Sequence, residues 1–202
     1  MTRDGAARGS TIPRALTGLR ALLAPLVVAM ALWHPTGLGF GICLALAFLS
    51  DVFDGILARR LGVATTTLRR LDSLVDSVFY LAVLFAAWHL YPAAIRRNLA
   101  PLAVLGGLEV ARYVLDLAKF KREASYHMWS SKLWGILLFV GFFALLALGR
   151  DGWPVNLAIY AGIIADLEGL AISIALREWQ ADIPTIVHAL RIRGRQRVGS
   201  VV

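Results

Sequence analysis

Long apolar segments dominate this sequence and restrict what it can fold into. A helix that crosses a membrane needs about 20 mainly apolar residues, and six runs of that length occur, each bounded by charged residues or by Gly and Pro. They are approximately residues 16–34, 38–58, 71–92, 99–118, 129–149 and 154–176. None keeps the two-residue alternation typical of strands in membrane barrels. We therefore predict an all-α membrane protein with six transmembrane helices.

The composition agrees with a membrane location and argues against a soluble enzyme. Of the 202 residues, 58% are hydrophobic and only 17% are charged, whereas about one quarter of a soluble domain is charged. All but three of the 21 Lys and Arg residues fall on one side of the predicted membrane, the exceptions being Arg96, Arg97 and Arg150. Because cytoplasmic loops are enriched in basic residues, both termini are expected in the cytoplasm.

The distribution of the basic residues also sets the expected domain organisation. Residues 1–180 are predicted to form one six-span domain, and residues 181–202 a basic cytoplasmic tail. The net charge of +8 is assigned to topology and to anionic lipid, so no nucleic-acid partner is expected. The single cysteine, Cys43, excludes an internal disulfide and a thiolate metal site.

Four aspartates stand at the predicted cytoplasmic ends of the second and third spans: Asp51, Asp54, Asp72 and Asp76. A charged residue inside a membrane helix costs about 2.5–3.5 kcal/mol, so such residues indicate function. Spacings of three and four place each pair on one helix face. Since a short connection makes the two helices antiparallel neighbours, the two pairs are expected to face one another.

Carboxylates grouped in this way repel one another unless cations lie between them. All-oxygen ligand sets select hard ions such as Mg²⁺, Mn²⁺ or Ca²⁺, and two divalent ions would balance four negative charges. A purely structural alternative is pairing with the arginines at the same helix ends, Arg59, Arg60, Arg69 and Arg70. Because four aspartates share one register, we favour a metal site.

The register of these residues resembles the signature of the CDP-alcohol phosphatidyltransferases. That family's pattern is D-x-x-D-G-x-x-A-R, about eight residues, then G-x-x-x-D-x-x-x-D. At its fixed positions this sequence has Asp51, Asp54, Gly55, Ala58, Arg59, Leu68, Asp72 and Asp76. Only Leu68 departs, because the family has a second glycine there. Residues 12–20 (IPRALTGLR) are more weakly similar to the family's entry into the first span.

The resemblance implies transfer of a phosphatidyl group from CDP-diacylglycerol, or a related CDP-linked donor, to an alcohol with release of CMP. It implies that Asp51, Asp54 and Asp72 bind two Mg²⁺ or Mn²⁺ ions. Asp76 matches the catalytic base and can also contact a metal. A homodimer is implied as well, in a bacterial-type inner membrane with the site facing the cytoplasm. Leu68 either narrows the nucleotide pocket or packs against a neighbouring span.

The sequence indicates the donor-binding residues more clearly than the acceptor-binding residues. Gly55 and Ala58 leave room for the donor beside the helix, and Arg59 can pair with its phosphate. Arg112 and Lys132 lie within apolar sequence and are the candidates for binding a phosphorylated acceptor. Glycerol 3-phosphate is the first choice, while inositol phosphate, inositol, serine and an aminoalcohol stay open.

Further acids lie within the predicted spans. Glu109 stands three residues before Arg112 and is an alternative partner for it, and Asp166 and Glu168 are expected on different faces of the last span.

A cation transporter or an inactive membrane scaffold is the competing interpretation of the four aspartates. Transporters place their ion sites near the bilayer midplane, whereas these aspartates lie toward one membrane face. That position favours an enzyme.

Overall fold

Helices make up all the regular structure in the described part of the chain. The computed structural model describes residues 3–60, 66–122 and 126–198, with all their side chains except those of residues 3–14, 58–60, 66–70 and 195–198. The elements are α1 (Arg3–Trp33), α2 (Gly37–Arg60), α3 (Thr66–Leu90), α4 (Pro92–Arg97), α5 (Leu99–Phe120), α6 (Trp129–Phe142), a π-helical segment (Phe143–Ala147), α7 (Trp153–Ala175) and α8 (Ile186–Val198). The all-α prediction is confirmed.

Five of the helical stretches are long and apolar enough to cross a membrane, so the chain is an integral membrane protein. They are Ala15–Trp33, Gly37–Leu57, Leu71–Leu90, Trp129–Ala147 and Trp153–Ala175. Each boundary lies within about two residues of a boundary expected from the apolar runs, because length and hydropathy alone define such helices.

The fourth predicted span corresponds to α5, which is not among these five. Its 22 residues give a length of about 33 Å, which matches the thickness of the hydrocarbon core. However, it carries Glu109, Arg112, Asp116 and Lys119. These charges recur every three or four residues and therefore share one face. A sixth span thus stays a prediction.

The chain divides into two compact units, each with its own packing. The first contains α1, α2, α3 and the π-helical segment. Here α1 packs against both α2 and α3, and the π-helical segment packs against α2. A Cβ at Gly37 would collide with the backbone of Ala147, so only glycine permits this approach. Alanines at Ala24, Ala47 and Ala86 are buried in the same unit, as in other closely packed membrane helices.

The second unit contains α5, α6, α7 and α8. Within it, α7 packs against both α5 and α8. The segment predicted as a basic tail includes α8, whose Ala189 is buried in a cluster with Met128 and Ile172. The carboxylate of Glu168 on α7 accepts a hydrogen bond from the Ile186 amide at 3.1 Å. It therefore satisfies one of the amides at the start of α8, which lack partners within the helix.

Candidate active site

The four aspartates converge at the ends of α2 and α3 in the first unit. Their side chains differ in exposure: Asp54 is 4% exposed, Asp72 and Asp76 are each 29% exposed, and Asp51 is 50% exposed. One carboxylate is therefore sealed inside the helices while three are open to a ligand. The expected juxtaposition of the two pairs is present.

The first helix supplies two further side chains that the sequence analysis did not single out as site residues. Thr17 Oγ1 donates a hydrogen bond to Asp54 Oδ2 at 3.0 Å and lies 3.4 Å from Asp72 Oδ1. Arg20, three residues later on the same face of α1, is only 1% exposed. The signal lies in the similarity of residues 12–20 to the family's first span, although a basic residue at this place also matches a topology charge.

The guanidinium of Arg20 contacts all four carboxylates. Its Nη1 donates to Asp51 Oδ1 at 3.1 Å and to Asp76, and its Nη2 donates to Asp54 Oδ2 at 2.8 Å and to Asp72. Each nitrogen thus bonds one aspartate of α2 and one of α3. The structural alternative of arginine pairing is therefore realised in part, although by an arginine of another helix.

The carboxylates fit a divalent cation in both number and spacing. One oxygen from each of Asp51, Asp72 and Asp76 lies within 4.8 Å of the others, and two oxygens bound to one such ion lie at most about 4–5 Å apart. Arg20 neutralises only one of the four negative charges, so the site keeps an excess that favours cations. Asp54 lies outside this three-residue group, and its role as a ligand stays a prediction.

Of the residues predicted to bind the donor, only Gly55 lies in the fully described part of the chain. Gly55 follows Asp54 on α2 and is half-buried. The side chains of Ala58, Arg59 and Leu68 lie outside the described residues.

The predicted acceptor residue Arg112 lies in the second unit, where it pairs with two carboxylates. Its Nη2 is 3.1 Å from Glu109 Oε1, and its Nη1 is 3.1 Å from Asp166 Oδ1. Asp166 is fully buried, whereas Arg112 keeps 21% of its side chain exposed. Gly169 makes room for Arg112, because a Cβ there would lie 3.0 Å from Arg112 Cδ. Pairing with Glu109, which the spacing allowed, is thus present.

Further polar contacts extend this face of α5 toward the end of α7. Lys119 Nζ donates to the backbone carbonyl of Ser173 at 2.8 Å, and the hydroxyl of Tyr126 lies 3.2 Å from Ser173 Oγ. Burial raises the pKa of Tyr126, so this hydroxyl stays protonated at neutral pH. The other predicted acceptor residue, Lys132, is exposed, with Nζ 4.6 Å from the ring centroid of Trp129.

Together, the apolar helices and the aspartate cluster define an integral membrane protein with a site suited to divalent cations. The sequence profile of the CDP-alcohol phosphatidyltransferases matches residues 10–175, which is most of the chain, and the chain belongs to that family. It is therefore a phosphotransferase of phospholipid synthesis, from a family that uses divalent metals. Comparisons with curated proteins and with solved structures give no match. The resemblance drawn from the aspartate register is confirmed.

Proposed function

We propose that this protein transfers the phosphatidyl group of CDP-diacylglycerol to glycerol 3-phosphate and releases CMP. The observation that carries the proposal is the convergence of Asp51, Asp54, Asp72 and Asp76 at the ends of two membrane helices. A membrane enzyme with such a site can reach a lipid-linked diphosphate and a water-soluble alcohol from the same membrane face.

The chemistry follows from the positions of the carboxylates. Asp51, Asp54 and Asp72 are the residues that would hold two Mg²⁺ or Mn²⁺ ions, which when bound neutralise charge on the donor diphosphate. Asp76 takes the proton of the acceptor hydroxyl, whose oxygen attacks the phosphorus bearing the diacylglycerol. The bond from this phosphorus to the CMP oxygen breaks, and CMP leaves with the electron pair. Asp76 is 29% exposed, so an acceptor can approach it.

We assign donor binding to the segment that follows Asp54. Gly55 and Ala58 lack bulky side chains and leave room for the nucleotide beside α2. Arg59 offers a guanidinium to a donor phosphate, a pairing favoured by its planar fork. Leu68, where the family has glycine, is assigned to packing against a neighbouring span.

We assign the acceptor phosphate to Arg112 and Lys132. The support is that Arg112 is partly exposed although two carboxylates already contact it, and that Lys132 is exposed near the start of α6. A phosphorylated acceptor is therefore favoured over a neutral one. Inositol phosphate is the next choice, followed by serine, inositol and an aminoalcohol.

For the whole chain we propose six spans with both termini and the active site in the cytoplasm, in an inner membrane of bacterial type. The sixth span is α5, whose charged face contacts α7 through Arg112 and Lys119. Residues 1–180 then form the enzyme domain and residues 181–202 a basic cytoplasmic extension. A homodimer is proposed from family membership.

The reaction is tested by incubating purified protein with CDP-diacylglycerol, Mg²⁺ or Mn²⁺ and each alcohol in turn, while CMP release is measured. Release is expected to be fastest with glycerol 3-phosphate and to stop in chelator. Asp72→Asn should abolish it, whereas Glu178→Gln, an exposed acid outside the site, should not. Release with serine or inositol alone would correct the acceptor, and no release with any alcohol would contradict the proposed reaction.

The topology is tested with cysteines introduced into the connections between helices. Because Cys43 is buried, the background labelling is low. In intact cells, a membrane-impermeant maleimide should label Arg150→Cys but not Lys121→Cys, which should react only after permeabilisation. The opposite pattern would arise from an inverted orientation or from an α5 that does not cross the membrane, and labelling of both would mean that α6 does not cross it. Each of these results would contradict the proposed topology.

A further inference from the structure

Arg20 is the only positive group that the described residues place among the four aspartates, and its burial is nearly complete at 1% exposure. A buried arginine is stable only when paired, since removing a charge from water costs several kcal/mol. Here the pairing is unusually complete because both Nη atoms bond carboxylates from two helices. Arg20 therefore joins α1, α2 and α3 at a single point.

This arrangement leaves negative charge unbalanced and one hydrogen-bond donor without a partner among the described residues. One guanidinium faces four carboxylates, so three negative charges lack a counter-charge from Arg20. In addition, Arg20 Nε is buried and has no hydrogen-bond partner among the described residues, although a buried donor normally has one. The carboxylates can therefore bind further cations, and Arg20 Nε can donate to a further hydrogen-bond acceptor.

We propose that Arg20 is an exchangeable internal cation, an inference that rests on the proposed metal-dependent transfer. When the site holds no divalent ion, Arg20 keeps the four carboxylates assembled. When divalent ions bind Asp51, Asp72 and Asp76, Arg20 leaves these oxygens and turns to the diphosphate of the CDP-linked donor. Arg20 is thus a positioning residue that first organises the ligands and then orients the donor.

The exchange follows from charge and geometry. The oxygens that bond Arg20 belong to the same three carboxylates whose oxygens lie within 4.8 Å of one another, so Arg20 and a divalent ion compete for them. Two like charges at such a short separation repel one another. A diphosphate offers the planar guanidinium a bidentate alternative and an acceptor for Nε.

The experiment compares three variants with the wild type in detergent: Arg20→Met, which removes the charge at similar length, Arg20→Lys, which keeps it, and Arg96→Gln as a control. Arg96 is exposed on α4, and its substitution lowers the net charge equally. Thermal melting is measured in chelator and in saturating Mn²⁺, and Mn²⁺ affinity is measured by titration. CDP affinity is then measured in saturating Mn²⁺.

The proposed exchange predicts that Arg20→Met changes the affinities for Mn²⁺ and for CDP in opposite directions. In chelator, Arg20→Met should melt about 5 °C or more below the wild type, and saturating Mn²⁺ should remove most of that gap. Its Mn²⁺ affinity should rise about tenfold, because a competing charge is gone, while its CDP affinity should fall about tenfold. Arg20→Lys should keep Mn²⁺ affinity near the wild type, and Arg96→Gln should change none of these values.

Several results would overturn the inference. A melting gap for Arg20→Met that is equal in chelator and in Mn²⁺ would make Arg20 a permanent structural link. Weaker Mn²⁺ binding in Arg20→Met would mean that Arg20 only supports the ligands. If Arg20→Met does not fold, an Mn²⁺ affinity in Arg20→Lys raised as though the charge were lost would also contradict competition. A wild type that does not bind Mn²⁺ would instead contradict the metal site itself.

Discussion

Each unit of the molecule holds an arginine against carboxylates, buried in the first unit and partly exposed in the second, and the two centres differ in charge balance. In the first unit Arg20 faces four aspartates, whereas in the second Arg112 faces Glu109 and Asp166. Both arginines are held by apolar helices, where an unpaired charge is costly. The large negative excess around Arg20 marks a place that requires further cations. The group around Arg112 has a smaller negative excess, and the pairing of Arg112 with Asp166 connects α5 to α7.

The largest expected effect is the loss of turnover when the proposed base of the first centre is removed. Asp76→Asn should lower turnover by about 10²–10⁴, the usual contribution of general acid–base catalysis. Nucleotide binding should persist because the other three aspartates remain. The matched control is Ser77→Ala, which alters only a hydroxyl bonded to the Ser73 carbonyl on the same helix. Near-normal CMP release in Asp76→Asn would remove Asp76 from the role of base.

Substitution of Arg112 in the second centre should lower the stability of the protein. Arg112→Met leaves Asp166 buried without its cation, and breaking a buried ion pair costs about 3–5 kcal/mol of unfolding free energy. Removing both charges in Arg112→Met with Asp166→Leu should recover much of that loss, since an apolar replacement of the pair is tolerated. Denaturant unfolding of purified protein measures both variants. Equal stability of Arg112→Met and the wild type would show that the pair does not hold the helices.

Metal dependence provides a smaller and more graded test of the first centre. Asp51→Asn should raise the Mn²⁺ concentration for half-maximal rate about tenfold, because a neutral amide is a weaker ligand than a carboxylate. A similar shift is expected for Asp54→Asn if it is a ligand as proposed. Asp166→Asn in the second unit should leave this concentration unchanged. A rate insensitive to chelator in the wild type would contradict the metal assignment.

The last test concerns the space beside Arg112. Gly169→Ala places a Cβ 3.0 Å from Arg112 Cδ, and such overpacking costs about 1–3 kcal/mol. Gly135→Ala is the matched control, because a Cβ there meets nothing within 4 Å and alanine is the better helix former. Melting curves should place Gly169→Ala below the wild type and Gly135→Ala at or above it. The reverse order would mean that Arg112 has room to move.

The spans and the aspartate pairs were predictable because both depend on local properties of the chain. Hydropathy over about 20 residues defines a membrane helix, and a spacing of three or four defines a helix face. The spacings of Asp51 with Asp54 and of Asp72 with Asp76 therefore predict one site. The antiparallel arrangement followed from the shortness of the connection between α2 and α3.

The role of Arg20 could not be read in the same way. A single arginine near the end of an apolar run matches the pattern of a topology signal, and charge and hydropathy alone do not distinguish it from Arg14. Its function depends on α1 packing against both α2 and α3, a relation between residues more than thirty positions apart. The buried partner of Arg112, Asp166, was likewise visible as a costly charge but not as the partner of a particular arginine.

The docking of α8 bears on how this protein can be shortened. The recognisable family region stops at residue 175, whereas the packing continues, since Ile183 and Ala189 cover Met128 and Ile172. A chain cut at the end of the family region would expose that apolar cluster and leave the Glu168 carboxylate without its amide donor. Such a fragment should aggregate even though every residue of the aspartate site is present. The smallest unit that folds is therefore longer than the smallest unit that sequence comparison recognises.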